Sequence, residues 1–409
     1  MQNLVVLGAT GTVGRNTLAV AALHPDKLKI HALSAHKDVA GLLELCRQFA
    51  PAIAVMVDEA AARELKQKLQ EAALPTEVRS GSEALCSIAA DAAAHQVMSA
   101  IVGAAGLMPT LAAVRAGKPK NKKILLANKE PLVMAGRLLL AEAERGRATL
   151  IPIDSEHNAI FQCLQALPAG AFRCGATPRG VRRLLLTASG GPFRDTALSD
   201  LARVTPAQAL RHPNWVMGPK ISVDSATMMN KGLELIEAQR LFGMAESRIE
   251  VVMHPESVIH SLVEFDDGST LAHLGQPDMR VPIAHALAWP ERWDSGVAGL
   301  NLGELGRLNF QPVEARRFPC LALARSALQA GGVMPNVLNA ANEIAVAAFL
   351  KQRIAFTGIS GLIEQTLHEA AGARLPGDET LDAVLAVDKW ARRQAERLLA
   401  GSVRSAIHA

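Results

Sequence analysis

Three glycines, Gly8, Gly11 and Gly14, stand between the apolar run Leu4–Leu7 and the helical pattern Arg15–Leu23, and few folds accept that arrangement. A strand that turns through glycines directly into a helix opens a βαβ unit. Glycine allows the tight turn and a close backbone approach, and the helix start presents N–H groups to a pyrophosphate. The Gly-x-x-Gly-x-x-Gly spacing is weak by itself and also describes a turn that binds nothing. Its place between a strand and a helix is what makes it a dinucleotide signal. The rest of the first 150 residues agrees. Ile30–Leu33, Ile53–Val57, Val97–Val102, Ile124–Ala127 and Leu150–Ile153 read as further short strands, with helical stretches such as Ala40–Phe49 between them. Such alternation predicts a buried parallel sheet of Rossmann type over residues 1–153.

The end of the second strand narrows the cofactor. Enzymes that use NAD usually carry Asp or Glu there, to bind the ribose hydroxyls. Here the chain reads Leu33-Ser34-Ala35-His36-Lys37, with no acid until Asp38. Basic residues at this position suit a 2′-phosphate, so NADP(H) is expected, with Lys37 as its partner. The alternative is that His36 and Lys37 are solvated loop residues.

Beyond residue 153 the texture changes to α+β. Leu184–Thr187, Glu250–Met253 and Ser257–Phe265 read as strands of a mixed or antiparallel sheet, and Asp266-Asp267-Gly268 as a hairpin turn before Ser269–Leu274. The expected organisation is a catalytic and dimerisation domain over 154–290, a Pro/Gly/Asn-rich linker over 291–316, and a helical bundle over 317–409. A chain of 409 residues is too long for one ordinary core. Its net charge of +4, with Tyr absent, argues against a nucleic-acid surface and fits a small anionic substrate. Five scattered cysteines without a Cys-x-x-Cys pattern point to reduced thiols rather than disulfides or a thiolate zinc site. No apolar run is long enough to span a bilayer. The expectation is a cytoplasmic protein with neither membrane nor nucleic-acid partners.

The candidate chemistry begins at Asp154-Ser155-Glu156, directly after the last strand of the first sheet. If that segment stays extended, residues i and i+2 share a side, and both carboxylates face the sheet's ligand-binding edge. Two such charges repel unless a cation or strong donors lie between them. A third acid is available in Asn230-Lys231-Gly232-Leu233-Glu234-Leu235-Ile236-Glu237. Periodicity cannot separate Glu234 from Glu237. Three carboxylates are hard oxygen ligands suited to Mg²⁺ or Mn²⁺ rather than zinc.

Donors for a phosphate monoester are dense nearby in sequence: Ala188-Ser189-Gly190-Gly191-Pro192, His212-Pro213-Asn214-Trp215, and Ser225 through Lys231. Each has an ordinary alternative as a turn, a loop histidine or a helix cap. The segment 212–220, with Trp215 and Met217 between prolines and glycine, reads as a lid that excludes water.

Taken together these stretches resemble the 1-deoxy-D-xylulose 5-phosphate reductoisomerase family over nearly the whole chain. The most specific are Leu126-Ala127-Asn128-Lys129-Glu130, Asp154 through Ile160, Lys220 through Glu237, His254 through His260, and Gln276-Pro277-Asp278-Met279-Arg280. The resemblance implies an enzyme of the non-mevalonate isoprenoid route. It would rearrange and reduce a small phosphorylated sugar to 2-C-methyl-D-erythritol 4-phosphate, by way of an aldehyde that NADPH reduces. It implies that Asp154, Glu156 and Glu234 hold the metal, which decides against Glu237. Lys129 and Glu130 would lie between nicotinamide and substrate, with Asn128 on the cofactor side and Ser155 on the substrate side. Ser189, Ser225, Asn230 and Lys231 would take the phosphate, His212 close by and Trp215 closing over it. Thr10, Gly11, Thr12 and Val13 would cradle the NADPH phosphates. The family is usually homodimeric.

Some features depart from the pattern. Lys118-Pro119-Lys120-Asn121-Lys122-Lys123 is longer and more basic than the family leads one to expect, and is read as a surface loop without a function. His36 and Asp38 flank Lys37 where smaller or neutral residues are expected. A metal-free dehydrogenase would instead need a reactive Cys or a Tyr/Lys pair, and a non-enzymatic NADPH sensor would have no use for the acids and phosphate donors.

Overall fold

The computed structural model describes residues 1–119, 121–168, 173–213, 215 and 217–407, the side chains of 402–407 excepted. The chain forms two compact units, each built from separated stretches of sequence.

The first unit takes in Met1–Pro131, Leu139–Asn158 and Asp278–Gly299. Its sheet contains β1 (Gln2–Leu7), β2 (Leu28–Ala35), β3 (Ile53–Met56), β4 (Glu77–Ser80), β5 (Gln96–Ser99), β6 (Lys123–Leu126) and β7 (Thr149–Pro152). Their order is β4-β3-β2-β1-β5-β6-β7, and every pairing is parallel. Residues Leu4 to Leu7 of β1 and all of β3 and β5 are buried, the mark of strands covered on both faces. The strand order reverses between β1 and β5, and the crevice beyond their carboxyl ends is where open parallel sheets hold ligands.

β4 was not foreseen. Its sequence, Glu-Val-Arg-Ser, has no apolar run because it is an edge strand paired only to β3. The fifth strand stops at Ser99, short of the expected Val102. The chain leaves the sheet through Ala100, whose N–H bonds to the Leu7 carbonyl, and turns at Gly103 with φ of +80°.

The second unit takes in Leu132–Leu138, Ala159–Pro277 and Leu300–Ala409. Its sheet is mixed: β8 (Val181–Ala188), β9 (Ile249–Met253), β10 (Ile259–Phe265), β11 (Thr270–Leu274) and β12 (Gln311–Pro312) in the order β11-β10-β8-β9-β12. Only β8 and β9 run parallel. The expected hairpin joins β10 and β11, with Gly268 at φ of +85° and the Asp267 carboxylate accepting from the Ser269 N–H. The linker region adds β12 as an antiparallel edge, where Pro312 needs no ladder donor of its own. The carboxyl-terminal region is helical, as expected: Pro319–Ala330, Met334–Leu350, Gly358–Gly372 and Leu381–Ile407.

Candidate active site

In the first unit the glycine loop is held against the end of β2 by Ser34. The Gly8 N–H donates to the Ser34 hydroxyl at 3.1 Å, and the Ala9 N–H donates to the Ser34 carbonyl at 2.7 Å. Two of the three glycines are sterically required. A Cβ on Gly8, at φ of +79°, would lie 2.8 Å from the Ala100 carbonyl oxygen, and one on Gly14 only 2.3 Å from the Gly8 oxygen. The helix that follows, Thr12–Leu23, has no side-chain cap and no acid in its first turn. Its leading N–H groups and positive dipole end therefore face the loop of Thr10, Gly11, Thr12 and Val13 without a competing anion.

At the end of β2, Lys37 is exposed, 3.6 Å from the Asp58 carboxylate. Asp58 caps the helix Glu59–Glu71 that follows β3, and the Ala61 N–H and Lys37 hold its carboxyl below the usual range. Asp38 serves as a helix cap. Its Oδ1 accepts from the Gly41 N–H at 2.9 Å and caps the helix Val39–Phe49. This explains an acid at a position where the family pattern suggests a neutral residue.

Beyond β6, Asn128, Lys129 and Glu130 are all buried. The Asn128 Oδ1 accepts from the Ser99 hydroxyl at 2.9 Å, while its Nδ2 is buried without an acceptor among the described residues. Lys129 Nζ lies 2.7 Å from Asp154 Oδ2, and His157 Nδ1 lies 3.7 Å from the same oxygen. The segment after β7 corrects the expectation of an extended Asp-Ser-Glu. A helix starts at Ser155, with the Asp154 carbonyl accepting from the Asn158 N–H at 2.8 Å. Glu156 thus lies in the helix's first turn, where the Ser155 hydroxyl donates to its Oε2 at 2.6 Å. Both acids still stand at the carboxyl edge of the sheet, brought there by a strand end and a helix turn rather than by strand alternation.

In the second unit the helix Met229–Phe242 buries both Glu234 and Glu237. Asn230 and Lys231, one turn earlier on that face, both donate to the Glu234 carboxylate. Ser225 is near the end of the helix Pro219–Ala226, and a Cβ on Gly191 would stand 2.8 Å from the Ser225 carbonyl. His212 Nδ1 accepts the Trp215 backbone N–H at 3.0 Å, so Nε2 carries the ring proton and donates to Ser189 Oγ, also at 3.0 Å. The Gly191 N–H donates to the same hydroxyl at 3.2 Å, which leaves the Ser189 proton to point at an acceptor. The Trp215 and His260 rings lie 6.2 Å apart. Asn214 and parts of the expected lid lie outside the described residues.

One supporting network was not legible in sequence. Asp224, 1% exposed, takes a 2.8 Å bond from Asn342 on the helix Met334–Leu350 and lies 2.9 Å from Lys220 Nζ. It fixes the helix that carries Ser225. The basic run before β6 is also less superficial than expected, its residue 120 lying outside the described residues. Lys122 is buried, with Nζ 2.7 Å from the Asp91 carbonyl, and Lys123 opens β6 and bonds the Trp289 carbonyl.

No thiol here is poised as a nucleophile. Burial pushes Cys46 and Cys163 up to about 11 and Cys320 up to about 12. That removes the cysteine-dependent alternative.

Family models match three stretches of the chain. "1-deoxy-D-xylulose 5-phosphate reductoisomerase" covers residues 4–136, the "1-deoxy-D-xylulose 5-phosphate reductoisomerase C-terminal domain" covers 150–242, and the "DXP reductoisomerase C-terminal domain" covers 274–394. A 1-deoxy-D-xylulose 5-phosphate reductoisomerase of Ectopseudomonas mendocina (strain ymp) is 57% identical over 400 residues, 98% of this chain and 99% of its own length. The chain belongs to the 1-deoxy-D-xylulose 5-phosphate reductoisomerase family. A second member, from Pseudomonas putida (strain W619), is 57% identical and covers 96% of each chain. Among solved structures, a DOX-P reductoisomerase in complex with NADPH, fosmidomycin and magnesium matches with a TM-score of 0.90 and 46% identity over 98% of both chains. The Zymomonas mobilis 1-deoxy-D-xylulose 5-phosphate reductoisomerase in complex with NADPH matches at 0.87 and 44%, over 97% of this chain and 99% of that one.

Proposed function

We propose that this chain carries out the NADPH- and divalent-metal-dependent rearrangement and reduction of 1-deoxy-D-xylulose 5-phosphate to 2-C-methyl-D-erythritol 4-phosphate, in the non-mevalonate supply of isoprenoid precursors. The observation that carries this reading is the 57% identity to a reductoisomerase over nearly the full length of both chains, joined to an uncapped glycine loop and half-buried acids at the same sheet's carboxyl edge.

In this reading Thr10, Gly11, Thr12 and Val13 hold the NADPH phosphates, Lys37 stands near the 2′-phosphate, and Asn128 and Glu130 border the nicotinamide. Asn128 fits that task because its buried Nδ2 is a donor left without an acceptor among the described residues. Asp154, Glu156 and Glu234 hold Mg²⁺ or Mn²⁺. The set is all carboxylate oxygen, which suits these hard cations. Such a cation polarises substrate oxygens on which negative charge develops. Lys129 is the neighbouring ammonium that orients Asp154. Ser189, Ser225, Asn230 and Lys231 bind the phosphate, with Ser155 on the sugar. The His212–Ser189 bond orients the hydroxyl, and Trp215 closes the site against water. A phosphate clamp away from the reacting carbons uses binding energy to hold geometry.

Functionally, residues 1–153 serve the cofactor, 154–290 the metal, substrate and dimer contact, 291–316 connect, and 317–409 support; the compact units run across these divisions. The protein acts as a cytoplasmic homodimer. In support of the dimer, the edge strand β11 leaves Leu271 and Leu274 exposed.

The decisive measurement is NADPH oxidation with 1-deoxy-D-xylulose 5-phosphate, with and without Mg²⁺ or Mn²⁺. Turnover that depends on metal is expected, and none with metal present overturns the function. Glu234→Gln should cut kcat at least ~100-fold, the scale of losing one electrostatic stabiliser. Activity indifferent to both chelator and this change would remove the metal assignment alone.

A further inference from the structure

Arg15 enters neither the glycine motif nor the family resemblance, yet its position ties the two halves of the cofactor crevice together. It is the fourth residue of the helix Thr12–Leu23, and its backbone N–H bonds the Gly11 carbonyl at 2.9 Å. Its Nε donates to the Thr10 carbonyl at 3.3 Å, which anchors the side chain to the phosphate loop. The guanidinium then reaches across to the turn that follows β2. A Cβ on Gly41 would stand 2.9 Å from Arg15 Nη2 and 2.3 Å from Asp38 Oδ2, so the guanidinium lies against the first turn of the helix Val39–Phe49. That turn directly follows Lys37. It is the place where dinucleotide folds read the 2′ substituent of the ribose, and where an arginine accommodates a 2′-phosphate.

Two cations therefore flank one spot, and their commitments differ. Lys37 pairs with Asp58, a helix cap fixed by its own backbone bonds. Among the described residues Arg15 Nη1 pairs with Glu44 Oε2, at 3.5 Å, with the two side chains 45% and 69% exposed. An ion pair so open to water holds its partners weakly. A phosphate dianion can draw Arg15 from Glu44 at little cost, and the planar guanidinium offers it two parallel donors where a lysine offers one point of charge. The opposing charges are the Asp58 and Glu44 carboxylates and that of Asp38, whose Oδ1 is already engaged by the Gly41 N–H.

We infer that Arg15 is a specificity-determining residue of the cofactor site, its guanidinium taking the 2′-phosphate of NADPH together with Lys37, with Glu44 as its resting counter-ion. This rests on the NADPH reading above. A purely structural Arg15 would only pin the two helix starts to each other.

The experiment is direct binding without substrate, by calorimetry, of NADPH, NADH and 2′,5′-ADP to the full-length protein. Wild type is measured first. If it binds NADH as tightly as NADPH, the cofactor reading itself falls and the Arg15 assignment with it. With NADPH preferred, Arg15→Gln should weaken NADPH and 2′,5′-ADP about tenfold or more, the scale of a lost charge-assisted hydrogen bond, and NADH less than twofold. Arg15→Lys should recover part of that loss. Glu44→Gln is the control for structure: it should leave NADPH as tight as in wild type or tighter. Equal losses for NADPH and NADH in Arg15→Gln, no loss for either, or a Glu44→Gln protein as impaired as Arg15→Gln, would each overturn the assignment.

Discussion

Lys122 shows how far a single residue departs from its surface appearance in sequence. Its side chain is buried against the Ala89 and Asp91 carbonyls, and burial pulls its amine down to about 8, with the Asp91 carboxylate acting against that fall. An unfolded lysine keeps its proton to about 10.4. Between those values the unfolded chain binds more protons than the folded one, so this residue's contribution to stability rises with pH through that window. Below about pH 8 the buried cation opposes folding in full. Wild type should therefore gain on Lys122→Met as pH goes from 7 to 9.5, by roughly 1 kcal/mol or more. Urea unfolding of both proteins at the two pH values measures this, and a difference that ignores pH would refute the titration of Lys122. The run containing it reads as a solvated loop because lysines usually are one, and only the tertiary structure reveals carbonyls waiting beneath.

At the scale of elements, the helix Pro219–Ala226 is positioned from a distance. Asn342, fully buried, donates to Asp224, and nothing in the local pattern of either segment announces the other. Asn342→Ala should destabilise the protein by about 1–3 kcal/mol, the cost of leaving a buried acceptor unmet. Asn342→Asp should cost more, because it faces one buried carboxylate with another. Denaturant unfolding tests the order of the two; an Asp variant as stable as wild type would refute it. The elements that were legible share one trait: their own residues specify them. β1, β2, β3, β6 and β7 are apolar runs because the sheet is covered on both faces, and the β10–β11 hairpin declares itself through Asp266-Asp267-Gly268. β4 was hidden because an edge strand needs no such run. The Asp154–Glu156 segment misled because a two-residue spacing has meaning only once strand or helix is known. The choice between Glu234 and Glu237 was out of reach of pattern, since one helix buries both.

For the whole molecule, the open question of assembly rests on the edge of the second sheet. Among the described residues β11 pairs with β10 alone, and Leu271 and Leu274 are 40% and 37% exposed there. An apolar edge left uncovered invites another chain. Sedimentation velocity should give a dimer, and Leu271→Lys should weaken it at least ~10-fold in Kd, the order expected from setting an unpaired charge in an interface core. A monomer at micromolar concentration in wild type would reject the homodimer. The thiols have a consequence for the protein as a chemical object. Burial raises all five, Cys86 and Cys174 among them, so little thiolate exists near neutral pH. Peroxide and alkylating agents attack the thiolate. A catalyst of this build should keep working through oxidative stress that silences cysteine-dependent enzymes around it, and should need no reducing agent on the bench.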